Sequence, residues 1–304
     1  GYTGNSDFVL PSGLRLIAQE VFAGSGLVYA DISAVANSAN LGTGIFKDCT
    51  NLKEVALNTG ITKLPDEMFS GCTSLENFDF AAFGKLSEIG AKVFQNTAIK
   101  SAELRSGIAK VGANVFDGSK LTNVLISDSL SKLGDAMFAN CKLLTEVVLP
   151  SNLFDMGNNT FENSGIVSIT IPQWVYSIGK GVFMNCSDLS SVTVKNDKLT
   201  SIGSQAFKGC VNLEKFVIGQ TVLNVGNAAF AGCVKLNLTV AEGNDNYSVT
   251  SDGLLIDSKN TLVSVYGNST EVNLSGITAI ANGAFDGNTT IRRVTIPAVM
   301  ESIG

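Results

Sequence analysis

One stretch decides the fold: Ile202-Gly203-Ser204-Gln205-Ala206-Phe207-Lys208-Gly209-Cys210-Val211-Asn212-Leu213-Glu214-Lys215-Phe216-Val217-Ile218. Its pattern returns along the chain. An apolar-Gly pair is followed by a phenylalanine and then by apolar residues at spacings of three and two. Self-similarity at a period of roughly 20 to 50 residues marks a repeat architecture. The phenylalanines recur every 22 to 25 residues, with one longer last interval: Phe22, Phe46, Phe69, Phe94, Phe116, Phe138, Phe161, Phe183, Phe207, Phe230 and Phe285.

Each repeat is predicted to contain one strand and tight turns. The segments at 75–80, 121–126, 144–149 and 189–194 end in four residues that alternate between apolar and polar, as a strand does. The glycine of pairs such as Ile89-Gly90 marks a turn in which a side chain would clash. A proline closes the strand in several copies, as at Pro150 and Pro172.

A repeat of about 23 residues is too small to bury its own apolar face, so neighbouring repeats have to stack and share one core. Residues 1–304 are therefore predicted to form a single solenoid, although length alone suggests two domains. Its strands would run parallel, about 4.8 Å apart. Because solenoids need polar caps, an array that stops inside a repeat at Ile303-Gly304 is expected to continue or to pair in an oligomer.

The interval between Phe230 and Phe285 contains additional sequence with a different pattern. Residues 247–250, 254–257 and 261–266 resemble strands, and the turns between them include Asp252-Gly253, a strong hairpin signal. We predict an antiparallel β-hairpin insertion over 239–275. The repeat pattern resumes at Ile277.

Composition excludes several classes of function. The 304 residues include no histidine, which removes Ser-His and Cys-His nucleophile pairs and His-ligated zinc. With 21 Lys and Arg against 27 Asp and Glu, the net charge is −6, so nucleic acid is not expected as a partner. Since polar residues interrupt every apolar run before about 18 residues, no membrane span is predicted. We expect a noncatalytic protein without a cofactor or metal.

All six cysteines occupy one position of the repeat, three residues after the phenylalanine. Other repeats place Ser, Thr or Asn there, as Ser25, Thr97, Ser119, Ser164 and Asn288. This exchange predicts a small, weakly hydrogen-bonding residue at a bend, and not a nucleophile, a metal ligand or a disulfide framework.

The repeat Ile-Gly-x-x-Ala-Phe-x-x-Cys-x-x-Leu-x-x-Val-x-Ile-Pro and the hairpin sequence from Asn244 to Ile256 resemble the BspA-like leucine-rich-repeat proteins of anaerobic bacteria. The resemblance spans residues 8–304. It implies a right-handed β/α superhelix, a leucine-rich-repeat solenoid with a parallel sheet on one face and short helical or 3₁₀ turns on the other. It further implies an exported protein of the cell surface or extracellular space, often lipid-anchored, that mediates adhesion to host proteins or other cells.

Residues that flank the central apolar position of each strand should point away from the core. Along the chain they change from acidic to hydroxylic and then to basic, which would orient a partner by charge complementarity. The partner predicted by the resemblance is an extracellular-matrix or cell-surface protein; alternatively, these residues are polar only because they are solvated. The predicted ligand-binding face comprises Tyr29, Asp31, Glu54, Asn77, Asp79, Glu103, Asn123, Glu146, Thr170, Thr193, Lys215 and Arg293.

Several other functions stay open. A glycan-binding module would need aromatic residues near the hydroxylic positions, and Tyr29, Tyr247 and Tyr266 are the candidates. A structural spacer for another domain would need no ligand. Asp79 and Glu103, expected in one column about 5 Å apart, have the spacing of a retaining glycosidase, but an open sheet would not separate their pKa values. The same two residues with Asn77 suggest a Ca²⁺ site that lacks the loop pattern of such sites.

Overall fold

The computed structural model describes residues 8–11, 13–195 and 197–304. Two compact units divide the chain, Gly1–Leu153 and Phe154–Gly304. Within each unit, short strands separated by turns stack in parallel ladders. That the two units continue one solenoid stays a prediction.

The first unit contains two kinds of parallel ladder. Strands of two to four residues form the exposed sheets β1-β2-β3 and β6-β8, and two-residue strands form the side ladder β4-β5-β7. The strands are β1 (Phe8–Val9), β2 (Tyr29–Asp31), β3 (Glu54–Ala56), β4 (Lys63–Leu64), β5 (Glu88–Ile89), β6 (Ser101–Leu104), β7 (Lys110–Val111) and β8 (Asn123–Ile126).

The second unit repeats this arrangement as far as Val240. The exposed sheet is β9-β11-β13-β15 and the side ladder is β10-β12-β14. These strands are β9 (Ser168–Ile171), β10 (Ser177–Ile178), β11 (Ser191–Val194), β12 (Ser201–Ile202), β13 (Lys215–Ile218), β14 (Asn224–Val225) and β15 (Asn237–Val240). The remaining strands are β16 (Tyr247–Val249), β17 (Leu254–Asp257), β18 (Thr261–Val265), β19 (Glu271–Asn273), β20 (Ala279–Ile280), β21 (Arg293–Thr295) and β22 (Ser302–Ile303).

Stacked phenylalanine rings form the core of each unit. From Phe22 to Phe138 in the first unit and from Phe161 to Phe230 in the second, successive ring centroids lie 5.4–5.9 Å apart, and their planes differ by at most 19°. The rings from Phe46 onward to Phe230 are fully buried. The prediction that the repeated phenylalanines are core residues is confirmed from Phe46 to Phe230, whereas Phe22 and Phe285 are partly buried.

The helical face expected from the resemblance is not observed. Within the described residues, the 3₁₀ helices are Ser38–Asn40 and Phe80–Ala82, and turns and two-residue strands occupy the other connections. A helix cannot propagate around Phe94, because Lys92 and Asn96 have φ values of 57° and 55°. The amide of Phe94 instead donates to the carbonyl of Val115 in the next coil. Turn amides thus pair between coils and not within a helix.

Two segments predicted as strands, 75–80 and 144–149, do not pair with neighbouring strands. At 75–80, the ring of Phe80 is buried against Phe94 and Phe116, and the segment continues into a 3₁₀ helix capped by Asp79. At 144–149, burial still alternates, since Val147 is buried and Val148 is 85% exposed, but no strand is formed there. The apolar pattern thus correctly predicts burial at these positions but not strand pairing.

The repeated glycines are required by the close approach of successive coils. A Cβ atom on Gly203 would lie 2.6 Å from the amide nitrogen of Lys180 and 2.7 Å from the carbonyl oxygen of Gly179. The φ angle of Gly203 is not in the left-handed region. The expected clash therefore comes from the neighbouring coil and not from the conformation of the turn itself.

The segment 239–275 contains three antiparallel strands. β16 pairs with β17 and β17 with β18, between Tyr247 and Val265, whereas β15 and β19 at its two ends belong to parallel ladders. β18 then rejoins the repeat by pairing in parallel with β20. The hydroxyl of Tyr247 accepts the amide of Val225 at 2.7 Å, so the antiparallel segment covers the edge of β14.

Candidate ligand-binding face

Predicted face residues lie at paired positions on the sheets of the first unit. Tyr29 is the ladder partner of Glu54, and Asn123 is the partner of Ser101. In β6 and β8 the intervening residues Ala102 and Val124 are buried, because strand side chains alternate between the two faces of a sheet. The parallel register therefore places these polar side chains in rows on the outer face.

Glu54, Asn77 and Asp79 line one groove of about 410 Å³ in the first unit. The groove exists because 75–80 does not pair with β3, so the irregular segment lies beside the strand and leaves a gap. The Oδ1 atom of Asp79 accepts the amide of Ala81 at 2.9 Å, which caps the 3₁₀ helix Phe80–Ala82. Three residues predicted from separate positions thus line one concave surface.

Asp79 lies in no strand, so it is not a ladder partner of Glu103, and the expected spacing of the two carboxylates stays a prediction. Glu103 forms an ion pair with Arg105, with its two oxygens 3.0 and 3.1 Å from guanidinium nitrogens. This contact raises the pKa of Arg105. Helix capping engages one oxygen of Asp79, and ion pairing engages both oxygens of Glu103. The described residues hold no cluster of three acidic or cysteine side chains suited to a metal.

Asp31 is engaged by its own turn. Its Oδ1 accepts the hydroxyl of Ser33 at 2.6 Å and the amide of Ser33 at 2.9 Å. These hydrogen bonds, the hydroxyl foremost, lower the pKa of Asp31. The carboxylate therefore carries its negative charge throughout the neutral range, as charge recognition at this position requires.

An apolar surface adjoins Glu103 and was not recognised as a site from the sequence. Leu125 is 58% exposed, and both Leu125 and Val148 line a groove of about 670 Å³ with Glu103 and Arg105. Glu146 is exposed two residues before Val148. The available signal was that Leu125 and Val148 are apolar at positions where other repeats carry polar residues.

The second unit presents hydroxyl groups in register. Ser168, Ser191, Lys215 and Asn237 are successive ladder partners, and Thr170 is the partner of Thr193. β11 and β13 pair only at Ser191 and Lys215, so they diverge and leave a groove of about 280 Å³ between them. The predicted residues Thr170, Thr193 and Lys215 all lie on this exposed sheet.

Arg293 lies on the exposed strand β21, as predicted, and forms an ion pair with Glu271 at 3.2 Å. Both side chains are more than half exposed. Exposed pairs of this kind contribute roughly 0–1 kcal/mol to stability. Glu271 thus partly offsets the basic charge expected at Arg293.

Exposed aromatic residues in the second unit were missed from the sequence. Trp174 is 44% exposed, Tyr176 is 41% exposed and Phe154 is 54% exposed. The ammonium of Lys198 lies 5.5 Å from the ring centroid of Trp174, a cation–π distance. In the first unit the position of Tyr176, two residues before the apolar-Gly pair, is occupied by Ser87, Ala109 and Ser131, and this contrast was the available signal.

The six cysteines are buried as free thiols. Burial raises the pKa of Cys141 and of Cys233 to about 12. A nucleophilic cysteine needs a lowered pKa and access to solvent. The prediction of small, buried, hydrogen-bonding residues at this repeat position is confirmed.

Stacked coils with parallel strands on one face and a buried ladder of repeated apolar residues define a leucine-rich-repeat protein. The sequence profile of the BspA type leucine rich repeat region matches residues 2–122 and 109–237 in six copies. The chain belongs to this family. No helix among the described residues is long and apolar enough to cross a membrane.

A solved structure shows the same fold, and a second aligns less closely. A leucine-rich repeat protein from Bacteroides ovatus aligns with a TM-score of 0.65 and 22% identity, over 98% of this chain and 82% of the other. A leucine rich cell surface protein from Faecalibacterium prausnitzii aligns with a TM-score of 0.45 and 18% identity, over 97% and 88%. Among curated proteins, a search finds no match.

Proposed function

We propose that this chain is a noncatalytic binding protein, secreted or held at the cell surface, that mediates adhesion by contacting extracellular-matrix or cell-surface proteins. Proteins with leucine-rich repeats generally act in protein interaction or at surfaces, and their solenoids are typically non-enzymatic scaffolds. A lipid anchor is part of the same proposal.

One observation carries the proposal: parallel ladders repeat outward-facing polar residues at a fixed spacing over an uncovered sheet. Tyr29 and Glu54 in the first unit, and Ser191 and Lys215 in the second, are direct ladder partners. Strand spacing of about 4.8 Å brings such residues into a row within each sheet. Such rows offer several weak, oriented contacts, which suit a protein surface better than a small substrate.

The groove that Glu54, Asn77 and Asp79 line in the first unit, here called the acidic groove, is the most direct place to test charge complementarity. Glu54 and Asp79 both line it. A purified chain should bind at least one member of a panel of immobilised extracellular-matrix proteins. The double variant Glu54→Lys, Asp79→Lys should weaken that binding about tenfold or more, and the loss should shrink at high salt because screening weakens charge contacts.

Asp188→Lys provides a matched control, because Asp188 is exposed in the second unit and lies in none of the grooves described above. This variant should bind like the unmodified chain. If the double variant bound as tightly as the unmodified chain, the protein-binding site would not lie in this groove. Binding to neither proteins nor glycans would favour a structural spacer.

A glycan is the second candidate ligand, and the exposed rings of Trp174 and Tyr176 favour it. Thr200 lies beside Tyr176 in the adjacent coil, where its hydroxyl donates to the Tyr176 carbonyl at 3.0 Å. Aromatic faces with neighbouring hydroxyls suit the apolar faces and hydroxyl groups of sugar rings. Binding on a glycan array that disappears in Trp174→Ala and Tyr176→Ala, and persists in Phe216→Leu, would support this candidate over the protein ligand.

A further inference from the structure

A second outward face lies beside the side ladder β10-β12-β14 of the second unit. Burial alternates in the residues that lead into these strands: Val175, Leu199 and Val222 are buried, and the residues on both sides of each are exposed. An extended chain points successive side chains in opposite directions, so the exposed ones share one side. They form two lines along the stack, here called the side column, Phe154, Tyr176, Thr200 and Leu223, and the outer column, Trp174, Lys198 and Thr221.

Contacts between adjacent coils fix the register of the side column. The amide of Thr200 donates to the carbonyl of Tyr176 at 2.8 Å, and the amide of Leu223 donates to the carbonyl of Thr200 at 2.9 Å. Phe154 and Tyr176 each lie three residues before a glycine, and a Cβ on the later glycine would overlap the carbonyl oxygen of the earlier one. Each coil therefore places one side chain in the column, at a spacing of about 4.8 Å.

Large apolar side chains are exposed on this face of the second unit. Phe154, Trp174 and Tyr176 are each more than two-fifths exposed, and Leu223 is 58% exposed. The same position of the first unit holds small residues: Ser87, Ala109 and Ser131. Because the coils of the first unit stack without large side chains here, the fold does not require them. Exposed apolar surface that the fold does not require marks an interaction site.

A line of neutral hydrogen-bonding groups, here called the polar row, adjoins the side column. Ser177, Ser201 and Asn224 are successive ladder partners, and each directly follows a residue of the side column. Their hydroxyl and amide groups can both donate and accept hydrogen bonds. Neither the side column nor the polar row contains a charged residue. In the outer column, the ammonium of Lys198 lies over the ring of Trp174.

Apolar side chains beside neutral hydrogen-bonding groups match the two kinds of surface on a sugar ring. The C–H face of the sugar packs against an aromatic or aliphatic side chain, and its hydroxyls exchange hydrogen bonds with neutral polar groups. An uncharged glycan is favoured because neither line offers a countercharge. Since each coil repeats both kinds of group, the face suits a chain of sugars better than a single one. Successive sugars of an extended β-1,4-linked chain advance by about one coil spacing.

We infer that this face binds an uncharged, linear β-1,4-linked glycan that lies along the stack, with its sugar rings against the side column and its hydroxyls against the polar row. The inference rests on the second function proposed above, and it adds the class of glycan and the direction in which the chain runs. The site lies on the side ladder and not on the exposed sheets. A protein partner in the acidic groove would therefore bind elsewhere.

Isothermal titration calorimetry with β-1,4-linked oligosaccharides of glucose, xylose and mannose tests the inference. In at least one series, affinity should rise about tenfold or more from the disaccharide to the hexasaccharide, because a longer chain contacts more coils. Tyr176→Ala and Leu223→Ala should each weaken the hexasaccharide about 3- to 10-fold, the effect of losing one packed side chain. Tyr176→Phe keeps the ring and should bind nearly as well as the unmodified chain.

Leu125→Ala is the matched control, because Leu125 is as exposed as Leu223 but lies on β8 of the first unit. This variant should bind the hexasaccharide like the unmodified chain. All these side chains are exposed, so every variant should keep the unmodified unfolding temperature, which separates loss of a contact from loss of the fold.

Two results would overturn the inference even where a glycan array shows binding to the chain: an affinity that does not rise with the number of sugars, and hexasaccharide binding that survives Tyr176→Ala. In either case the glycan candidate itself would stand. An array without any binding would remove that candidate and this inference together, and it would leave the proposed protein contact at the acidic groove unaffected.

Discussion

The Sγ atom of Cys72 lies 3.0 Å from the main-chain carbonyl oxygen of Phe46, one repeat earlier, and donates a hydrogen bond to it. The other five cysteines make the same contact at 2.9–3.1 Å. Each thiol therefore gives a second hydrogen bond to the carbonyl of the repeat phenylalanine in the preceding coil, which also accepts a main-chain amide three residues later in its own coil. The cysteine position connects successive coils through hydrogen bonds and not through disulfides.

Replacing Cys72 with valine should destabilise the chain by about 0.5–1.5 kcal/mol, because the Phe46 carbonyl would lose the thiol donor and keep only the amide of Cys49. Cys72→Ser keeps a donor and should cost less, since Ser25, Ser119 and Ser164 occupy this position in other repeats. Urea denaturation of the three proteins measures the difference. Equal midpoints for Cys72→Val and the unmodified chain would contradict a role for this hydrogen bond.

The thiols should be almost inert while the chain is folded. Burial raises the pKa of Cys141 and Cys233 to about 12 from the ordinary 9.0, and the reactive species is the thiolate. Ellman's reagent at pH 8 should detect few thiols in the folded protein and all six in guanidinium chloride. Rapid reaction of the folded protein would show that the phenylalanine core opens readily.

The same thiols make stability depend on alkaline pH. A raised pKa in the folded state means that folding favours the protonated thiol, so its contribution is complete below pH 9 and is lost as pH rises toward about 12. Thermal unfolding temperatures should fall across this range. A variant with Cys141→Ser and Cys233→Ser should show a smaller fall.

Gly203→Ala should be strongly destabilising, because its Cβ would lie 2.6 Å from the main chain of the adjacent coil. Overpacking against main chain costs about 1–3 kcal/mol or more, since the backbone of a packed stack cannot yield easily. Gly219→Ala is the matched control, because nothing lies within 4 Å of its Cβ. If the two variants had equal denaturation midpoints, coil contact would not explain the repeated glycine.

Acid should weaken the first unit through Glu67. Its carboxylate lies 2.7 Å from Lys47 and 3.3 Å from Lys92, and these contacts, the Lys47 hydrogen bond foremost, lower its pKa below the ordinary 4.5. The stabilisation is therefore present above pH 4.5 and is lost as pH falls below it. Glu67→Gln should be less stable at pH 7 and less sensitive to acid, whereas Glu54→Gln should alter neither property in denaturation experiments.

Much of the fold could be predicted because its signals are local and repeated. The spacing of the phenylalanines predicts their stacking, and the exchange of cysteine with serine predicts a buried bend. The helical face could not be predicted in this way, because left-handed residues such as Lys92 and Asn96 redirect amides to the next coil. Hydrogen bonding between coils therefore overrides the preference of a short segment for a helical conformation.

The candidate site was only partly predictable. Alternation places Glu54 and Lys215 on the outer face, as expected. It does not show that Glu54, Asn77 and Asp79 line one groove, because this depends on the failure of 75–80 to pair with a strand. The engagement of Glu103 by Arg105 was likewise not foreseen, because it depends on the conformation of two exposed side chains.

By itself, the sequence determined that small coils stack with their rings aligned, since no repeat of this length can remove its apolar face from water alone. Tertiary structure decided where strands pair, where they separate, and that Glu54, Asn77 and Asp79 line one groove. The physical reason is that burial follows a short apolar period, whereas pairing depends on which main-chain groups of neighbouring coils come within hydrogen-bond distance.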